Sequence, residues 1–165
     1  MGEYGIRFFY KKPLTATNLE TAPHPGFKTD WQPLWTTLIT QAKGESTVHE
    51  TVSQSRFNYT DALIKMGAKI ELFNPIVNNP KETYNFNPDD VSPNDKHAIK
   101  ITGPSKLHGG EFEIKDLRHG ATLLIAGMIA EGETILNDPE NHIDRGYERL
   151  DELFETMGAN IKRLD

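Results

Sequence analysis

Asp30-Trp31-Gln32 opens a stretch that closes on Met66-Gly67-Ala68-Lys69-Ile70, and the chain repeats its order later. Asp116-Leu117-Arg118 opens the second copy and Met157-Gly158-Ala159-Asn160-Ile161 closes it. Between those ends, both copies carry a helical apolar run, a glycine (Gly44, Gly132), a β-like run, an arginine junction (Arg56-Phe57, Asp144-Arg145) and a second helical run. Repeated units of this size stack, each burying a face that its neighbour supplies. The order within each copy predicts an α/β fold of roughly β-α-β-α-β units, with parallel pairing and right-handed crossovers as the default.

Working outward, residues 1–19 read as the tail hairpin of a preceding unit: Gly5 to Tyr10 is strand-like, Lys12-Pro13 breaks it, and Leu14 to Leu19 can form a second strand. The first unit then covers residues 20–73. Pro23, Pro25 and Gly26 exclude helix before Thr29 or Asp30 caps one that runs to about Ala42. A strand follows from Glu45 to Val52, a helix from about Asn58 to Met66, and a strand from Lys69 to Phe73. Residues 74–98, with four prolines and six asparagines, read as an insert or linker, either a spacer or a flap. The second unit covers 99–165. It opens on the strand around Ile99-Lys100-Ile101 and continues with the most apolar helix, Leu117 to Ala130, then a strand from Glu133 to Asn137. A helix capped by Asp144 runs to about Met157, with Leu150, Leu153, Phe154 and Met157 on one stripe, and a last strand spans Asn160 to Leu164.

The 165 residues hold 18 basic and 24 acidic side chains, a net charge of −6. That balance argues against a nucleic-acid partner but not against a small anion, because a few arginines in a cleft set the local field. No cysteine is present, so disulfides and a thiol nucleophile are excluded within the chain. The longest apolar stretch, Ala121 to Ala130, is too short to span a bilayer, and the chain reads as a soluble cytoplasmic protein with no membrane partner. The six histidines are scattered, with no pair at metal-ligand spacing, and no phosphate-loop or cofactor motif stands out; neither metal nor cofactor is expected.

Charges at helix starts are the candidate chemistry. Asp30, Asp116 and Asp144 each have a sufficient explanation as helix caps. Arg56, Arg118 and Arg145 are less easily explained, since a cation at a helix start opposes the macrodipole. Three at equivalent junctions either face a shared anion, which a guanidinium fork and backbone N–H groups suit, or form local ion pairs such as Arg145 with Glu148 or Arg149 with Glu152.

At Thr21-Ala22-Pro23-His24-Pro25-Gly26-Phe27-Lys28-Thr29-Asp30-Trp31-Gln32 the chain resembles the substrate-aspartate loop of the UDP-N-acetylglucosamine 1-carboxyvinyltransferases, enolpyruvyl transferases that begin peptidoglycan synthesis. Glu50-Thr51-Val52 with Arg56-Phe57, Met66-Gly67-Ala68, Asp116-Leu117-Arg118, Ala126-Gly127 with Ala130-Glu131-Gly132, and His142-Ile143-Asp144-Arg145-Gly146-Tyr147-Glu148-Arg149 match in the same order. The resemblance implies repeated βαβαββ units, two of the three that build one lobe of an inside-out α/β barrel. It implies UDP-N-acetylglucosamine and phosphoenolpyruvate as substrates, a missing N-terminal lobe as partner, and self-association through an apolar face left bare. Asp30 is similar to the family's substrate aspartate and proposed base, Val52 to a residue whose backbone meets the nucleotide sugar, and Arg56, Arg118 and Arg145 to cleft arginines, Arg145 meeting phosphoenolpyruvate on closure. The chain departs from the family pattern at Lys28, Trp31, Gln54-Ser55 and His119-Gly120. The nucleophile-loop residue and the lysine–asparagine site have no match here, so the chain alone is expected to be inactive. The alternatives are an enolpyruvylshikimate-phosphate synthase relative and a non-catalytic nucleotide-sugar-binding or assembly module of the same fold.

Overall fold

The computed structural model describes Arg7 and residues 9–164, and Gly5, Ile6 and Phe8 of the strand expected over Gly5 to Tyr10 lie outside them. Strand β1 (Leu19–Glu20) precedes a short 3-10 turn (Thr29–Trp31) and helix α1 (Gln32–Ile39); β2 (Gly44–His49), α2 (Thr60–Lys65) and β3 (Lys69–Phe73) follow. A single-turn helix α3 (Pro80–Thr83) and a 3-10 turn (Pro88–Asp90) interrupt the next connection. The chain continues with β4 (Ala98–Gly103), β5 (His108–Glu113), α4 (Leu117–Ile129), β6 (Glu131–Asn137), α5 (His142–Gly146) and α6 (Leu150–Thr156).

The repeat is legible in hydrogen bonds. Met66-Gly67-Ala68 and Met157-Gly158-Ala159 are both helix exits, where Ala68 N–H reaches Leu63 O at 2.9 Å and Ala159 N–H reaches Phe154 O at 3.0 Å. Each closes a Schellman turn around a glycine in the left-handed region, φ 103° at Gly67 and 94° at Gly158, which a side chain would oppose. Recurrence of the motif is therefore recurrence of the same helix stop.

Two sheets form. One has the order β1-β2-β4-β3, the other pairs β5 with β6. Parallel pairing holds for β1 with β2 and for β5 with β6, whereas β4 runs antiparallel to both β2 and β3. The sequence reading is corrected here: the Ile99-Lys100-Ile101 strand, expected to open the second unit, completes the first sheet. The Pro/Asn-rich composition of residues 74–98 resembled a boundary between units, but the segment is an elongated loop between adjacent antiparallel strands. Ile99 and Ile101 are fully buried, while Lys100 turns outward between Glu45 (3.8 Å) and Glu71 (3.4 Å). That alternation is what a sheet with one covered face requires.

Helices lie between the sheets. α1 and α2 pack on the four-stranded sheet, and α4 packs against α1, α2 and β6. The core joins Ile39, Val48, Tyr59, Leu63, Met66, Ile99, Ile101, Leu107, Leu123 and Ala126. This inward placement of helices agrees with the mixed α/β architecture expected from the repeat.

Four smaller expectations also change. The second helix begins at Thr60 rather than Asn58. Of Leu14 to Leu19 only Leu19 enters a ladder, with Thr15 making an isolated bridge to Lys43. The helix expected from Asp144 to Met157 is broken into α5 and α6, because Tyr147 is extended and Arg149 is left-handed (φ 50°). Asn160 to Leu164 makes no ladder among the described residues and instead lines a broad groove of about 990 Å³ with Ile114, Leu124, Ile135 and Leu136. The α6 stripe is not buried as a unit: Leu153 is 55% and Met157 73% exposed.

Leu123, fully buried on α4, should cost about 2–5 kcal/mol of unfolding free energy when cut to Ala. The same change at half-exposed Ile129 should cost about 0.5 kcal/mol or less. Urea denaturation of the two variants checks the core assignment; equal losses would refute it.

Candidate functional site

Glu50 follows β2 directly and is 1% exposed. Its Oε1 accepts hydrogen bonds from Thr21 Oγ1 (2.9 Å), Val52 N–H (2.9 Å) and Ser53 N–H (2.9 Å), and its Oε2 accepts from Thr29 Oγ1 (2.8 Å). Such an array satisfies a buried carboxylate without a cation. Thr21 is held in turn by Thr51, whose N–H donates to Thr21 Oγ1 (2.8 Å) and whose hydroxyl donates to Thr21 O (2.6 Å). One side chain thus fixes the Pro/Gly loop that ends at Thr29 and the turn that leads to Arg56.

Asp30 follows Thr29 inside the 3-10 turn and makes no capping bond, so the cap explanation for it fails. Its carboxylate is 54% exposed and accepts from Arg118 Nε at 2.6 Å, with Arg56 Nη2 at 3.8 Å. The Arg118 hydrogen bond, outweighing the effect of burial, holds the Asp30 carboxyl below its ordinary value, and Arg118 is pushed up by the same contact. Two arginines from sequence-distant junctions, Arg118 and Arg56, therefore meet at the carboxylate of Asp30.

Arg118 is the second residue of α4, and the helix start is a true cap. Asp116 accepts from Arg118 N–H (2.8 Å) and His119 N–H (2.9 Å), and its other oxygen accepts from Asn58 Nδ2 (2.6 Å). Burial raises the Asp116 pKa, but these donors reverse the effect and leave it lowered. Asn58 lies two residues beyond Arg56, so the Asp116 cap also ties the Arg56 turn to α4. His119, buried, has its pKa lowered chiefly by that burial. It therefore adds no cation beside Arg118 at neutral pH.

Arg56 lies in the turn ahead of α2, not in its first residues, with Ser55 before it at φ 49°, a conformation uncommon outside glycine. Its Nε–H is buried and finds no acceptor among the described residues. The half-buried Val52 spends its N–H on Glu50, which leaves its carbonyl as the backbone group able to meet a ligand.

Arg145 is not at a helix start. It occupies the last turn of the five-residue α5, where a cation suits the dipole. It is exposed, and among the described residues it forms no ion pair with Asp30 or with Glu148. α5 packs against α4, so Arg145 belongs to the neighbourhood of Arg118 without joining its hydrogen bonds. Arg149 does pair with Glu152, as the local-pair alternative held. Asp144 is not a cap either. It lies inside α5 and takes the Arg163 guanidinium (2.9 Å to Nη2), while the N–H groups of His142 and Ile143 go to Asp138 at 2.9 Å each.

The loop carries its own support. Phe27 meets the rings of Trp31 (5.8 Å) and Trp35 (5.7 Å) edge-on, and Lys28 Nζ lies 5.4 Å from the Trp31 ring centre. Lys28 and Trp31, two departures from the family pattern, thus contact each other, a cation–π pair worth about 0.5–1 kcal/mol at an exposed site.

A family model described as EPSP synthase (3-phosphoshikimate 1-carboxyvinyltransferase) matches residues 2–154. A UDP-N-acetylglucosamine 1-carboxyvinyltransferase of Chlamydia trachomatis serovar D is 38% identical over 164 residues, covering 99% of this chain and 36% of the relative. The protein of that name from Protochlamydia amoebophila is 40% identical over 163 residues, covering 98% of this chain and 33% of its own. The chain spans about a third of the length of the curated relatives it matches. Among solved structures, the enolpyruvyl transferase NikO from Streptomyces tendae superposes with a TM-score of 0.71 at 26% identity, over 93% of this chain and 30% of that one.

The Asp30–Arg118 contact sets a sign for pH dependence. A carboxyl lowered in the folded state stabilises the fold above its ordinary value of about 4. That contribution is lost as pH falls through the lowered folded value. Arg118→Ala should move the Asp30 titration up toward the ordinary value in a carboxyl carbon-13 NMR titration. An unchanged midpoint would show that the contact does not form in solution.

Proposed function

Because this chain belongs to the EPSP synthase (3-phosphoshikimate 1-carboxyvinyltransferase) family, we propose that it forms one wall of an enolpyruvyl transferase cleft. The reaction we assign to the whole protein transfers the enolpyruvyl group of phosphoenolpyruvate to the 3-hydroxyl of UDP-N-acetylglucosamine, releasing phosphate. The names of the relatives at 38% and 40% identity favour this sugar over shikimate phosphate. The observation that carries the reading is the convergence of Arg118 and Arg56 on the exposed carboxylate of Asp30.

Asp30 takes the hydroxyl proton as the sugar oxygen adds to C2 of phosphoenolpyruvate, whose π pair takes a proton at C3 from an acid outside this chain; loss of a C3 proton as phosphate departs restores the double bond. In the free chain its bond to Arg118 makes it a weak base. An incoming phosphate or carboxylate competes for Arg118, and Asp30, released from that partner, becomes more basic when the proton must move. Arg56 fits the anion role because its buried Nε–H lacks an acceptor, a deficit of about 1–3 kcal/mol that a ligand oxygen would remove. Arg145, exposed on α5, is free to reach phosphoenolpyruvate as a second lobe closes, and charge leaving with the phosphate is offset by these guanidiniums. The Val52 carbonyl, beside Glu50, faces the nucleotide sugar. This chemistry needs no metal or cofactor. The remaining lobe supplies the rest of the cleft, the exposed α6 stripe is a surface for self-association when that lobe is missing, and the setting is cytoplasmic peptidoglycan synthesis.

In the full-length protein, Asp30→Asn should lower kcat for phosphate release from UDP-N-acetylglucosamine and phosphoenolpyruvate by about 100-fold or more. Tm should change little, since Asp30 caps nothing. The 165 residues alone should release no phosphate. Turnover by the isolated chain, or full activity in Asp30→Asn, would overturn the assignment.

A further inference from the structure

Residues 74–97 are not needed to connect the strands they join. β3 and β4 are antiparallel neighbours whose last register pair is Phe73 with Ala98, so a hairpin turn of about two to five residues would close the gap. The segment instead folds back across the sheet and docks on the end of β2. Asn85 N–H donates to Thr51 O at 2.8 Å, and its side-chain amide approaches the same oxygen at 3.4 Å. Tyr84 sets its ring edge-on to His49 (centroids 5.6 Å apart) with its hydroxyl 3.3 Å from His49 Nε2, and His49 Nδ1 lies 2.9 Å from Glu20 Oε2. Phe86 stacks on Tyr84 at 4.9 Å, and both rings lie against His97 at 5.1 and 5.2 Å. The ends of the segment are tied as well: His97 N–H donates to Asn74 Oδ1 (3.1 Å), and His97 O accepts from Glu50 N–H (2.7 Å).

These contacts converge on Glu50 and Thr51, the residues immediately before Val52. The Glu50 side chain holds this turn from the loop side; the 74–97 segment holds its backbone from the other. We propose that residues 74–97 are a positioning strap for nucleotide-sugar binding, in which Asn85, seated by Tyr84 and Phe86, fixes the Thr51 carbonyl and so sets the direction of the Val52 carbonyl. The inference rests on the function proposed above for its ligand but not for its geometry. Its partner is the sugar-nucleotide side of the cleft; of the arginines assigned to phosphoenolpyruvate, Arg118 and Arg145 stand on α4 and α5, away from the strap, and only Arg56 continues from the turn it holds.

Two variants of the full-length protein test it. In one, residues 74–97 are replaced by Asn-Gly; in the other, Tyr84→Ala and Phe86→Ala undock the strap without shortening it. The KM for UDP-N-acetylglucosamine should rise roughly 3- to 10-fold, the net worth of about one hydrogen bond, and by more than the KM for phosphoenolpyruvate. Amide exchange at Val52 and Ser53 should quicken in both. Unchanged exchange overturns the strap. So does faster exchange with an unchanged sugar KM, or an equal rise for both substrates. If the unaltered full-length protein fails to turn over these substrates, the proposed function falls, and exchange at Val52 and Ser53 still decides whether the strap fixes the turn.

Discussion

A single buried carboxylate organises the candidate site. Glu50 carries no cation and is satisfied by two hydroxyls and two backbone N–H groups drawn from two separate segments. Oε2 depends on Thr29 alone while Oε1 takes Thr21, Val52 and Ser53, so one carboxylate specifies loop and turn together. The Pro/Gly loop is held at Thr21 and Thr29, which sets where Asp30 emerges. The turn after β2 is held at Val52 and Ser53, which sets where Arg56 begins. Chemistry at the surface is thereby anchored to a polar point inside.

The second anchor is the start of α4. Asp116 spends one oxygen on the helix N–H groups and the other on Asn58. That division locks the Arg56 turn to the helix that carries Arg118. Long arginine side chains on mobile turns would lose much conformational freedom on meeting an anion. Here the backbone entropy of their placement is lost on folding instead, and the exposed Asp30 gives both guanidiniums a partner.

The fold supplies these anchors by keeping its helices inside and its sheets outside. Because α4 packs against α1, α2 and β6, its first turn is fixed relative to the four-stranded sheet, and Arg118 reaches Asp30 across 88 residues of sequence. β5 and β6 form only a two-stranded sheet, and the groove beside them, with the exposed Leu153 and Met157, leaves apolar surface uncovered. A pair of strands has little independent stability, and this one is supported by α4, which packs against β6.

Local chemistry was legible in the sequence. Glycine after a helix marks the same stop twice, and it closes both copies of the repeat. The Leu117 helix was clear from its apolar run, and Asp30, Arg56 and Arg118 stood out because their charges sit at junctions. Other features depend on partners far away in sequence. Nothing near Glu50 signals that it will be buried, since its donors at Thr21 and Thr29 come from the preceding loop. A capping carboxylate and an ion-paired one look alike in sequence, and only packing sent Asp116 to its helix and Asp30 to Arg118. Composition marked residues 74–98 as irregular, which is correct, and as a boundary, which is not: backbone pairing placed β4 inside the first sheet and laid the loop on Thr51. The sequence determined the helix stops, the buried stripes and the charged junctions, because these follow from side chains a few residues apart. Only the tertiary structure decided which charges meet and which segments hold them, because hydrogen bonds and ion pairs depend on distances that chain separation does not set.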